Sequence, residues 1–84
     1  MSYSVILKNS AERELDRLPS ALHARIVQKL RSLESTPRPS GLKKLQGHQG
    51  YRIRVGDYRI LFEVDDRQHL VYVYSVAHRK EVYR

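Results

Sequence analysis

The side chains best suited to chemistry are Arg52, Arg54 and Arg59 in one short segment, and His78, Arg79, Lys80 and Tyr83 near the end of the sequence. The segment Tyr51-Arg52-Ile53-Arg54-Val55-Gly56-Asp57-Tyr58-Arg59-Ile60-Leu61-Phe62 has the pattern of a β-hairpin. Tyr51, Ile53 and Val55 alternate up to a Gly-Asp turn, and Tyr58, Ile60 and Phe62 alternate after it. A two-residue turn pairs Val55 with Tyr58 and sets Arg54 opposite Arg59. Arg52 and Leu61 then share the arginine face, and the aromatic and branched residues take the other. Like charges directly across a sheet destabilise it, so three arginines on one face call for an anion, most obviously a polyphosphate backbone. The plainer alternative is a surface sheet carrying long basic side chains.

With His78 and Tyr83, this inventory fits metal-free RNA cleavage by the adjacent 2′-hydroxyl. That reaction needs a base for the 2′-OH, cations for the charge growing on the phosphoryl oxygens, and an acid for the leaving 5′-oxygen. Arginine suits the second task through its fixed charge and bidentate fork. It is a poor base, since a pKa above about 12 leaves almost no neutral form. Histidine, with an ordinary pKa of about 6.5, serves as acid or base near neutrality. Tyrosine starts near about 10 and needs cationic neighbours to lower it, but it can also stack on an unpaired base. Taken singly, His78 is an ordinary strand-end histidine and Tyr83 a residue that packs on the sheet.

Other chemistries find little support. His23, His48, His69 and His78 are scattered, with no ligand spacing and no accompanying carboxylate cluster, so no metal or cofactor is expected. Asp65 and Asp66 read as turn formers. Glu12, Glu14 and Asp16 alternate with Arg13 and Arg17 as on a solvated helix face. There is no glycine-rich phosphate loop and no nucleophile elbow.

The elements that must position these groups are legible as periodicities. Residues 3–7 alternate as a first strand. Asn9 or Ser10 can cap a helix, with Glu12 completing a capping box after Asn9, and Ala11, Leu15 and Leu18 follow at helical spacing. Pro19 ends that helix and suits the first turn of a second, whose stripe is Leu22, Ile26, Leu30 and Leu33, with Arg25, Gln28, Lys29 and Arg31 outward. Residues 36–41 break the helix, and Leu42 and Leu45 anchor an irregular stretch before the hairpin. A turn at residues 65–69 precedes the β-prone run 70–77. The predicted class is α+β, in the order β-α-α-β-β-β, with a helical hairpin on one face of a small twisted, mostly antiparallel sheet. The arginines occupy the other face.

Eighty-four residues make one domain, 1–84. A net charge of +7 and a pI near 10.1 predict attraction to an anionic partner, with the charge spread over the whole body. There is no cysteine, no apolar run long enough for a membrane span and no signal-peptide pattern at Met1, so a cytoplasmic protein is expected.

At Leu42-Lys43-Lys44-Leu45-Gln46-Gly47, at Tyr51 to Arg59 and at Val76-Ala77-His78-Arg79-Lys80-Glu81-Val82-Tyr83, the chain resembles the RelE/ParE toxin superfamily, on its RelE-like branch. The resemblance runs from the first strand to Arg84. It implies a fold similar to microbial ribonucleases and a toxin that cuts mRNA in the ribosomal A site until an acidic, RelB-like antitoxin, folding as it binds, silences it. By position, Arg59 and Arg79 match the arginines that serve the phosphate, and Tyr83 matches the tyrosine that orients or stacks on substrate. Arg52 and Arg54 stand where the best-known member has lysines, one of them proposed as the base, which leaves that role to His78 or Tyr83. Lys43, Lys44 and Lys80 are expected to add phosphate contacts. The rival implications are a non-enzymatic, ParE-like gyrase inhibitor and an RNA-binding homologue that has lost cleavage.

Overall fold

The computed structural model describes residues 2–46 and 50–78. Strand β1 (Ser4–Leu7) leads into helices α1 (Asn9–Asp16) and α2 (Ser20–Ser32), followed by β2 (Lys43–Lys44), β3 (Tyr51–Val55), β4 (Tyr58–Asp65) and β5 (Leu70–His78). The sheet order is β1-β5-β4-β3-β2, with β1 parallel to β5 and the other neighbours antiparallel. This is the α+β arrangement expected from the periodicities, with one strand more. The additional β2 is only two lysines long and pairs with β3 at the sheet edge.

The helical stripes and the inward sheet residues form one core. Ala11, Leu15, Ile26, Leu30 and Leu33 from the helical layer meet Ile53, Val55, Ile60, Phe62, Val71, Val73 and Val76 from the sheet. Burying Phe62, Ile26 and Leu33 completely supplies about 1.5–3 kcal/mol for each side chain. The same burial decides which face of every strand points to the helices. The predicted hairpin register is present, with Val55 opposite Tyr58, Arg54 opposite Arg59 and Tyr51 opposite Phe62. Gly56 takes φ +58° at the first turn position, a conformation that favours glycine.

The start of α1 differs from the expected capping box. Lys8 occupies the N-cap position without a side-chain cap, and its carbonyl accepts from the Glu12 N–H at 2.9 Å. The Lys8 N–H donates to the Val73 carbonyl at 2.8 Å, so pairing with β5 sets where the helix begins. Pro19 likewise sits at the N-cap of α2 rather than in its first turn.

Among the described residues, β5 has no strand partner on its β1 side beyond Val73, and α1 covers that edge. The Ser10 hydroxyl donates to the Tyr74 carbonyl at 3.2 Å, and the Val76 N–H donates to Glu14 Oε1 at 2.9 Å. Glu14 is therefore part of the sheet's hydrogen bonding, not of a solvated helix face. Glu14→Ala should lower the unfolding free energy by about 1–3 kcal/mol in urea titrations, since it strands a donor on a nearly buried residue. An unchanged midpoint would mean that water takes the carboxylate's place.

Candidate active site

Strand alternation puts Arg52, Arg54 and Arg59 on the sheet face away from the helices, because Ile53, Val55, Ile60 and Phe62 are buried on the other. Lys43 pairs with Arg52 and joins that face. Gly41, Lys43, Arg52, Arg54 and Arg59 together line a cavity of about 250 Å³. Gly41 adopts φ +84° there, and a Cβ added to it would meet nothing within 4 Å, so the wall is open at that point. Arg59 is only 9% exposed, an unusual depth for a guanidinium. It pairs with Ala77 on β5, itself only 6% exposed. Arg54 donates from Nε to the Gly56 carbonyl at 3.0 Å, which fixes its fork at the turn.

Two expected members fall elsewhere. Lys44 is one residue from Lys43 and opposite Tyr51, so its side chain leaves the arginine cavity. It lines a separate space of about 260 Å³ with Arg38, Gly50, Tyr51, Glu63 and Val64. His78 pairs with Tyr58, one step out of phase with Arg59, and thus lies on the helix side. Its ring meets the Tyr58 ring edge-on at 5.3 Å, in a pocket shared with Glu14, Arg17, Leu18 and Val76. The described structure does not bring His78 to the arginines. Arg79, Lys80 and Tyr83 lie outside the described residues.

A β-bulge explains why the face of His78 is hard to read from sequence. Leu61 pairs with Ser75 and Phe62 with Val73, so Tyr74 is an extra residue in β5 that resets the alternation. Val71 and Val73 point inward before the bulge, and Val76 points inward after it. His78 follows Val76 in phase.

Another group of polar residues belongs to the scaffold. Arg38 donates through both terminal nitrogens to the Asp66 carboxylate at 3.1 and 3.0 Å, and through Nε to the Tyr51 hydroxyl at 3.1 Å. The Tyr3 hydroxyl also donates to Asp66, at 2.7 Å, and the His69 ring stands edge-on to Tyr3 at 5.1 Å. Asp66 is thus more than a turn former, and the half-buried His69 packs against Tyr3. The network ties the chain start, the segment after α2 and the β4–β5 turn together, and it consumes Arg38 as a possible phosphate contact.

The Arg38 hydrogen bonds, and then that of Tyr3, hold the Asp66 carboxyl below the usual carboxylate range. A folded-state pKa below the unfolded value of about 3.9 stabilises the fold above that value. That contribution is lost as pH falls from about 4 through the depressed folded value. Asp66→Asn should therefore flatten the acid limb of a melting-temperature profile; an unaltered limb would make the clamp energetically silent.

Residues 5–83 match the family model described as the ParE toxin of the type II toxin–antitoxin system parDE. The chain belongs to this toxin family. It is 31% identical over 86 residues to toxin RelG of Mycobacterium tuberculosis, spanning 100% of this chain and 99% of that one. Toxin RelE of the same organism is 32% identical over 84 residues, covering 98% of this chain and 87% of the relative. The archaeal RelE–RelB complex from Pyrococcus horikoshii contains a chain that superposes with a TM-score of 0.84 at 28% identity, covering 94% of this chain and 97% of that one. Two helices against a five-stranded mixed sheet are thus the RelE architecture.

Proposed function

We propose that this toxin is an endoribonuclease that cleaves mRNA on the ribosome by attack of the 2′-hydroxyl on the neighbouring phosphodiester. The observation that carries the reading is the cavity walled by Lys43, Arg52, Arg54 and the nearly buried Arg59. In partial shelter from water, such cations favour the charge that grows on phosphoryl oxygens in the transition state. Arg59, held by its strand pairing, is assigned to that charge. Arg52, Arg54 and Lys43 hold the flanking phosphates. Arg79, by its position in the sequence, serves the phosphate or the leaving oxygen, and Lys80 adds a phosphate contact.

The base role falls to Tyr83, because His78 stands across the sheet from the arginines. His78→Gln should then leave cleavage within a few-fold of wild type. A large loss in a folded variant would return His78 to the chemistry.

An acidic antitoxin of the RelB type is the partner that fits both the charge of +7 and the neighbour solved with RelB. The rival reading is a gyrase-directed inhibitor, favoured only by the ParE name of the family model. It leaves the arginine cavity without a task. Mapping RNA ends after mixing purified protein with translating ribosomes separates the two. The nuclease yields new ends carrying 2′,3′-cyclic phosphate and 5′-hydroxyl; 5′-phosphate ends, or no new ends from a protein that still arrests growth, overturn it.

A further inference from the structure

The deep cavity is not the only basic space on the molecule. A groove of about 420 Å³ runs between α2 and the hairpin, lined by Arg25, Gln28, Lys29, Ser32, Arg54, Val55 and Gly56. Three of these are cations and none is a carboxylate. By contrast, the spaces beside Lys44, beside Tyr72 and beside His78 each contain at least one acidic side chain. The sequence of α2 explains the difference. Residues 17–33 contain no Asp or Glu, so no acid stands at helical spacing to neutralise Arg25 or Lys29.

The groove is joined to the arginine cavity through one side chain. Strand β2 pairs only with Tyr51 and Arg52, so the β3 edge beyond Arg52 has no neighbouring strand among the described residues. Arg54 lies at that open edge and lines both spaces. The Arg25 guanidinium comes to the same turn, with Nη1 only 3.5 Å from where a Gly56 Cβ would be. Neither Arg25 nor Lys29 has an ion-pair partner among the described residues.

We propose that Arg25 and Lys29 form a second phosphate-binding track, continuous through Arg54 with the cavity of Arg59, which holds the same RNA strand away from the bond that is cut. This rests on the nuclease reading above and extends its substrate contact to a longer stretch of single strand. The lining argues for nucleic acid over an acidic peptide: Val55 is the sole apolar side chain among the described residues that line it, too little to seat the apolar face by which a helical segment docks. A phosphate backbone needs only cations placed in sequence.

The test is the salt dependence of binding to a short 2′-O-methyl RNA, which cannot be cut by 2′-OH attack, measured by fluorescence anisotropy. Each lost phosphate contact on a single strand removes about 0.7 from the slope of log K against log salt. The R25Q/K29Q double variant should therefore show a slope shallower by about 1.4, with weaker affinity at low salt and an unchanged melting temperature. An unchanged slope in the folded variant overturns the track. So does a loss confined to binding of the antitoxin, which would assign the groove to protein. Cleavage of unmodified mRNA by the wild type is scored separately. If it occurs with no change in slope, the track alone fails; if the slope shifts but RNA is never cut, the nuclease reading alone fails.

Discussion

Replacing Arg59 with alanine should lower RNA cleavage by about 10²–10³-fold, the usual effect of deleting one group aimed at transition-state charge, and should end growth inhibition. The size of the expected effect follows from position. Arg52 and Arg54 are more accessible, and water competes for their charges. Arg59 is 9% exposed and fixed between Arg54 on β3 and Ala77 on β5. Its backbone stays in the sheet when the side chain is cut back, so the fold should be retained, as circular dichroism can verify. Arg59→Lys adds resolution. A lysine keeps the charge but not the planar fork, so a rate between wild type and alanine would show that bidentate geometry matters beyond charge. Full toxicity in a folded Arg59→Ala protein would remove this residue from the mechanism, and with it the main reason to assign cleavage.

The second large effect concerns the substrate. A single 2′-deoxy nucleotide on the 5′ side of the cut bond should abolish cleavage there while leaving binding nearly intact. The attacking group is then missing, and no residue of the proposed site substitutes for it. The comparison is made on ribosomes carrying otherwise identical messages, with end mapping as the readout. Continued cutting at the deoxy position would require water as the nucleophile. That outcome would exclude the 2′-OH pathway even if Arg59 proved essential.

Much of this was readable from residue order alone, for identifiable reasons. The hairpin register followed from Gly56-Asp57 and from the alternation of Ile53 and Val55 with Ile60 and Phe62, because a one-residue slip of either strand would turn its own buried pair outward. The helical stripes were legible for the same reason. Strand β2 was not, since two lysines carry no alternation and their pairing is supplied by β3. The α1 cap was misread because the Lys8 junction is set by Val73, which is distant in sequence. His78 was expected among the arginines because its face depends on the bulge at Tyr74, which no local pattern announces. Glu14 looked like a surface charge until the open edge of β5 was in view. Arg25 and Lys29 looked the same, although the absence of acids between residues 17 and 33 was a visible sign.

The opposition of Arg54 and Arg59 has one more consequence. Their mutual repulsion could be relieved by sliding β3 one residue along β4, but that would turn Ile53 and Val55 out of the core. Apolar burial thus clamps the charges in a frame they would not choose. The two guanidinium groups are held on one face of the sheet by the packing on the other.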